Sequence, residues 1–210
     1  MRYFIENELL RAEIDVHGAE LKSLKNKNTG FEYMWQGDPA FWGRTSPVLF
    51  PFVGSLKDKR YIWKGTEYPM GQHGFARDMD FALLSKTDAE IWFELGSSEE
   101  TLAKYPFEFV LKIGYVLKEN ELKVLWVVEN PAEDTLYFSI GAHPAFNCPI
   151  NGEGSKEGYR LRFDKKDEVH HYGNRNDTGL ADTQEDIILK LEDHLSSFSA
   201  QDKKEAPLKI

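Results

Sequence analysis

The segment 107–129, FEFVLKIGYVLKENELKVLWVVE, decides the fold class of this chain. In residues 107–118, large apolar side chains alternate with charged residues, valine or glycine, which is the period of a half-buried β-strand. Residues 119–120 predict a turn, and a second alternating run occupies residues 122–129. Because both faces of the second run are apolar, we expect it to lie between two layers. The segment therefore predicts an antiparallel hairpin.

Shorter alternating runs lie on both sides of this hairpin. Residues 136–140 predict a third strand that completes a meander, and only residues 98–104, with Ser98 as the cap, predict a helix. The pattern favours an all-β antiparallel β-sandwich built as one domain over residues 1–210. Further strands are predicted at residues 10–15, 31–35, 61–63 with a return through 67–68, 91–95, 159–163 and 187–191.

Composition limits the classes of partner. The chain has 210 residues, 41% of them hydrophobic, and a formal net charge of -9. Such an acidic surface repels nucleic acid and anionic membranes, so neither is expected as a partner. The single cysteine excludes an intramolecular disulfide, and the N-terminus has no apolar core typical of a signal peptide. A cytoplasmic location is the expectation.

Three segments break the alternation, and the first is the proline-rich loop, residues 42–54, WGRTSPVLFPFVG. Two prolines and two flanking glycines argue against a regular central strand and favour a rigid, shaped loop. Arg44 offers five donors in a planar fork, which suits sugar hydroxyls or an anion. A salt-bridging arginine near a core loop is the equally weighted alternative.

The second segment, the His73 loop, is residues 71–78, GQHGFARD, and the third, the His143 loop, is residues 141–147, GAHPAFN. Glycines beside His73 permit unusual backbone angles, and His73 and Arg77 both offer donors to ligand oxygens. His143 follows a strand and precedes a proline, and an imidazole held there suits proton transfer near neutral pH. A turn histidine bonded to backbone and a histidine capping a strand end are the structural alternatives.

The aromatic residues and the remaining motifs give weaker signals. Trp35 and Trp42 lie near these loops and either belong to the core or stack on a sugar ring. No set of cysteines and histidines has the spacing of a zinc site. The sequence also has no P-loop, no dinucleotide-binding glycine motif and no GxSxG motif.

The three segments together resemble one family. The stretches WGRTSPVLFPFVGSL, GQHGFARDMDF and FSIGAHPAFNCPI are similar to aldose 1-epimerases of the galactose-mutarotase type, and are most similar to their LacX-like branch. The resemblance runs from the N-terminal strand to about residue 163. It implies a large antiparallel β-sandwich with a sugar cleft, and interconversion of the α and β anomers of an aldohexose such as galactose or glucose, with no metal or organic cofactor.

The resemblance also implies roles for individual residues. His143 matches the general acid, and His73 matches the histidine that binds the sugar and steadies its ring oxygen. Arg44 and Arg77 match positions that hold hydroxyls. The resemblance further places two residues along the cleft, Asn147 and Phe50.

One departure from the family pattern concerns the general base. The family uses a glutamate on a strand near its C-terminus, and no residue here lies in a matching motif, although Glu168, Glu185 and Glu192 are glutamates in the last third. The chain therefore resembles a C-terminally truncated member. Three alternatives stay open: a non-catalytic or vestigial sugar-binding protein, a mutarotase of hexose phosphates, and an unrelated β-sandwich interaction domain.

Overall fold

The computed structural model describes residues 1–155, 159–162, 168–175, 180–190, 195–197 and 208–209. These residues are mostly β-structure, with one short α-helix, α1 (Glu99–Leu102), and 3-10 turns at Lys57–Lys59 and Ala76–Asp78. The strands are β1 (Arg2–Glu6), β2 (Leu10–Asp15), β3 (Glu20–Asn26), β4 (Val48–Leu49), β5 (Arg60–Trp63), β6 (Thr66–Pro69), β7 (Ala82–Lys86), β8 (Glu90–Gly96), β9 (Val110–Lys118), β10 (Glu121–Glu129), β11 (Gly141–Ala142), β12 (Ala145–Phe146), β13 (Arg160–Arg162), β14 (Glu168–Arg175), β15 (Leu180–Lys190), β16 (Leu195–Ser197) and β17 (Leu208–Lys209).

Two antiparallel sheets build the framework of the sandwich. The first has the order β1-β2-β3, and the second has the order β10-β9-β8-β7. The predicted hairpin is confirmed, since β9 and β10 pair in an antiparallel register that sets Leu117 opposite Leu122. In β8 and β9, every second side chain is buried, because strand side chains alternate between the two faces of a sheet.

The inner faces of the two sheets share one hydrophobic core. The ring of Tyr3 in β1 lies 6.1 Å from the ring of Phe93 in β8. The buried Tyr115 hydroxyl in β9 donates to the carbonyl of Ala19, just before β3, at 2.7 Å. This bond satisfies a polar group inside the core and ties the second sheet to the start of β3. The sandwich predicted from the alternation is therefore present.

The prediction of a third strand in the meander is wrong. Residues 136–140 form no strand, because their backbone bonds to a loop: the Ser139 N–H donates to the Pro51 carbonyl at 2.8 Å. The following strand, β11, pairs with β4 instead of β10. The strand predicted at residues 31–35 reduces to isolated bridges at Glu32 and Met34.

Other local predictions are confirmed. The hairpin β5–β6 turns at residues 64–65, and strands β2, β8, β13 and β15 cover runs predicted from alternation. Residues 163 and 191, at the ends of two predicted runs, lie outside the described residues. Ser98 caps α1 through the Thr101 N–H. Within the described residues, no helix has the length and apolar character that a membrane crossing requires.

Candidate functional site

The proline-rich loop is the centre of the candidate site, because its backbone carbonyls bind both histidine loops. The Pro47 carbonyl accepts the His143 N–H at 3.1 Å, and the Thr45 carbonyl accepts the Ala145 N–H at 2.8 Å. The Phe50 carbonyl accepts N–H groups from the His73 loop, at 3.0 Å and 3.1 Å. Three segments far apart in sequence therefore meet at one place.

Gly74 allows the His73 loop to approach the proline-rich loop closely. It has a φ of 72°, and a Cβ atom there would lie 2.2 Å from the Phe50 carbonyl oxygen. His73 itself has a φ of 66°, a left-handed conformation that is uncommon for a residue with a side chain. Strained backbone of this kind is typical of functional loops, where the surrounding structure enforces it.

Reciprocal hydrogen bonds hold the half-buried His73. Its N–H donates to the Gly54 carbonyl at 2.8 Å, and its ring Nδ1 accepts the Gly54 N–H at 3.0 Å. Because Nδ1 accepts a hydrogen bond, the neutral ring carries its proton on Nε2. Burial, and then the positive charges of Arg77, His143 and Arg44, lower the pKa of His73 to about 4. Near neutral pH, His73 is therefore an oriented, uncharged Nε2–H donor.

The ring of His143 faces the ring of His73. Their centroids lie 5.9 Å apart, with the planes at 70°. On another side, the Trp42 ring lies 5.1 Å from the His143 ring. The structure thus brings together the histidines that are 70 residues apart in the sequence.

The two arginines belong to the same cluster and share one carboxylate. Arg44 Nη2 donates to Asp78 Oδ1 at 2.6 Å, and Arg77 Nε lies 3.5 Å from Asp78 Oδ2. Arg77 Nη2 also donates to the Gln72 carbonyl at 2.8 Å, which closes the His73 loop on itself. Desolvation, and then the nearby Arg44 charge, lower the pKa of Arg77. The carboxylate of Asp78 neutralises only one of the two guanidinium groups, so these three side chains together carry a net positive charge.

Sequence reasoning missed the roles of Glu20 and Asp78. Glu20 is buried at the start of β3, and its Oε1 accepts the N–H groups of Thr45 and Ser46 at 2.7 Å and 2.8 Å. It therefore holds the backbone next to Arg44. No local sequence pattern identifies a buried carboxylate that reaches a loop from the start of a strand. Asp78, in contrast, lies inside the His73 loop, where the sequence could have indicated it.

Two residues expected along the cleft have structural partners. The Phe50 side chain is fully buried among aromatic rings of the core, so it supports the proline-rich loop from beneath rather than facing a cleft. The Asn147 amide donates to the Glu32 carbonyl at 2.9 Å and anchors the His143 loop to the chain after β3. The Trp35 indole N–H donates to the Trp42 carbonyl at 2.9 Å, which again supports the proline-rich loop.

The expected base cannot be placed on a side chain. Glu168 belongs to β14 and Glu185 to β15, and the structure describes only the backbone of both residues. Glu192 lies outside the described residues. Among the described residues, no group of three histidine, cysteine or carboxylate side chains could hold a metal ion.

Comparison with known proteins agrees with the fold. Residues 1–195 match the family model of aldose 1-epimerase, so the chain belongs to the aldose 1-epimerase family. Within it, the chain is 35% identical over 188 residues to the plasmid-encoded protein LacX of Lactococcus lactis, an alignment that covers 86% of this chain. The chain spans 62% of that relative's length.

Solved structures give the same result. A galactose mutarotase related enzyme from Lactobacillus acidophilus superposes with a TM-score of 0.87 at 37% identity, covering 95% of this chain and 65% of that protein. A galactose mutarotase-like protein from Lactobacillus casei superposes with a TM-score of 0.80 at 32% identity, covering 100% of this chain and 68% of that protein. The resemblance seen in the sequence is confirmed.

Replacing Glu20 tests the support of the proline-rich loop. Glu20→Ala leaves two buried N–H groups without their acceptor, so we expect the free energy of unfolding to fall by about 1–3 kcal/mol. Urea unfolding measures it, with Glu13→Ala, on the neighbouring strand, as a control of equal charge change. An equal effect of both variants would contradict the assigned role.

The titration of His73 tests its environment. We expect its ring signals in NMR, assigned by their loss in His73→Gln, to report a pKa of about 4 and an Nε2–H tautomer near neutral pH. Because the folded pKa lies below the ordinary value of about 6.5, the unfolded state binds more protons between these pH values. Stability contributed by neutral His73 is therefore lost as pH falls through this window. A midpoint near 6.5 would contradict the assignment.

Proposed function

We propose that this chain carries the sugar-binding face of an aldose 1-epimerase, and that the whole protein interconverts the α and β anomers of an aldohexose. The observation that carries the proposal is the pair of facing imidazoles, 5.9 Å apart, one of which is a fixed neutral donor. Membership of the family supports the same reaction. Anomer interconversion needs positioned proton donors and acceptors around one sugar ring.

His73 and His143 have separate roles in this proposal. His73 Nε2–H donates to the sugar and holds its ring oxygen in place. His143 delivers a proton to the ring oxygen as the bond from that oxygen to C1 breaks, while a base removes the proton of the C1 hydroxyl. Rotation about the C1–C2 bond and reversal of these proton transfers close the ring as the other anomer. No residue of this chain is assigned as the base.

The arginine pair supplies donors for the sugar hydroxyls. Arg44, Trp42 and Asp78 line an open cleft of about 480 Å³, a volume that suits a small ligand. Neither histidine of the facing pair nor Arg77 lines this cleft, which adjoins that pair through the contact of Trp42 with His143. The two guanidinium groups also suit a second candidate substrate, a hexose phosphate, although the carboxylates of Asp15, Glu20 and Asp78 balance the three cations that line the cleft. A phosphate would compete with Asp78 for the two guanidinium groups, because charged oxygens are their preferred acceptors.

Calorimetry and polarimetry test the proposal. We expect the chain to bind D-galactose or D-glucose, and expect His73→Asn to weaken binding at least tenfold through loss of an oriented donor to the ring oxygen. If the freshly dissolved α-anomer loses its rotation faster than in buffer, His143→Ala should remove that acceleration. Arg60→Gln, whose guanidinium pairs with Glu67 in the β5–β6 hairpin and outside the cleft, is the control.

Each outcome separates the candidates. Binding with acceleration supports the epimerase, and binding without acceleration identifies a sugar-binding chain that lacks turnover. Stronger binding of galactose 6-phosphate than of galactose supports the hexose phosphate. Absence of binding for all of these sugars, in a chain shown to be folded by circular dichroism, would overturn the proposal.

A further inference from the structure

The cleft of about 480 Å³ lies beside the facing histidine pair and shares two residues with it. The Trp42 ring contacts His143, and Arg44 carries one of the positive charges that act on His73. Five further lining residues come from β1, β2, β3 and the turn between β2 and β3, and they are Arg2, Asp15, His17, Glu20 and Lys22. A sugar ring held at the histidine pair therefore leaves room in the cleft for a second group.

Each cation that lines the cleft is paired with a carboxylate of the same lining. The pairs are Arg2 Nε to Asp15 Oδ2 at 3.2 Å, Lys22 Nζ to Glu20 Oε2 at 3.3 Å, and Arg44 Nη2 to Asp78 Oδ1 at 2.6 Å. Such pairs present donors and acceptors side by side without a net charge. Because a sugar hydroxyl both donates and accepts hydrogen bonds, this lining suits a neutral polyhydroxyl group better than a phosphate, which requires unbalanced cations.

His17 adds an oriented acceptor to the cleft. Its ring Nδ1 lies 2.8 Å from Asp80 Oδ1. An ionised carboxylate only accepts hydrogen bonds, so Nδ1 carries the proton and Nε2 of the neutral ring is an acceptor. This tautomer is the opposite of that of His73, whose Nε2 is a donor.

The turn that carries His17 is fixed to the segment that follows the His73 loop. The Gly18 N–H donates to the Met79 carbonyl at 2.8 Å. Gly18 has a φ of 72°, and a Cβ atom there would lie 2.8 Å from the Arg77 carbonyl oxygen, so glycine permits this close approach. The position of His17 is therefore set relative to the histidine pair.

We propose that the cleft is a second sugar subsite, and that the substrate is a reducing disaccharide or a longer reducing saccharide. The inference rests on the proposed function, in which the ring with the free C1 hydroxyl lies at His73 and His143. The next ring, linked through its own anomeric carbon to another hydroxyl of the first ring, lies in the cleft. The flat apolar surface of Trp42 suits the C–H face of this second ring.

Calorimetry with neutral and charged sugars tests the subsite. The probes are D-glucose, glucose 6-phosphate, and the disaccharides cellobiose and maltose, which join the same two glucose units through different anomeric configurations. We expect at least one disaccharide to bind about tenfold more tightly than glucose, because only a disaccharide reaches the cleft. Glucose 6-phosphate should gain no such advantage, since the cations of the cleft are already paired.

Two variants locate the second ring. His17→Gln removes the oriented imidazole, and Asp80→Asn removes the carboxylate that orients it. In both, we expect the ratio of the glucose Kd to the disaccharide Kd to fall about fivefold, the effect of one hydrogen bond. Asp58→Asn, which alters an exposed carboxylate beside Arg60 outside the cleft, is the matched control and should keep the ratio. His73→Asn should weaken both sugars by the same factor, because both place their reducing ring at the pair.

The outcomes separate the subsite from the proposed function. Binding of glucose without tighter binding of either disaccharide, or a ratio that His17→Gln does not change, would overturn the subsite and leave the proposed function intact. If His17→Gln fails to fold by circular dichroism, Asp80→Asn decides, because Asp80 is exposed. Tighter binding of glucose 6-phosphate than of both disaccharides would overturn the neutral occupant. Absence of binding for all four sugars in the folded chain would overturn both proposals.

Discussion

The candidate site depends on the reciprocal hydrogen bonds between Gly54 and His73. These two bonds, with the carbonyls of Pro47 and Phe50 that accept neighbouring N–H groups, make the proline-rich loop a shared support for both histidine loops. Proline has no N–H, and its fixed φ limits the alternatives open to the loop, so the positions of these acceptors are set largely by the loop itself. The orientation of His73 and its tautomer follow from this contact, whereas burial and the nearby positive charges lower its pKa.

Beneath the loops, the sandwich supplies rigid points of attachment. Glu20 at the start of β3 holds the backbone beside Arg44, and the aromatic core around Phe50 supports the loop from below. The Tyr115 hydroxyl ties the second sheet to the residue just before Glu20. Catalytic and binding groups on loops need such a scaffold, because small displacements of a donor weaken its interaction with the substrate.

Much of the framework could be predicted from alternation alone, since β2, β8, β9 and β10 bury every second residue or pair in regular ladders. The runs at 31–35 and 136–140 alternate equally well but bond to loops, and alternation carries no information about where backbone hydrogen bonds go. In the site, the family resemblance identified both histidines. The close approach of their rings depends on the tertiary structure and could not be predicted from the sequence. A matching motif does not by itself assign a role to a side chain. In Phe50, the backbone carbonyl supports the site, whereas the ring belongs to the core.

If the three loops form one sugar site, a crystal of the chain soaked with D-galactose will show the sugar between them. We expect a sugar ring with its oxygen atoms within hydrogen-bond distance, about 2.7–3.2 Å, of His73 Nε2 and of a ring nitrogen of His143. A sugar bound elsewhere on the chain, with the two imidazoles in contact only with protein, would contradict it.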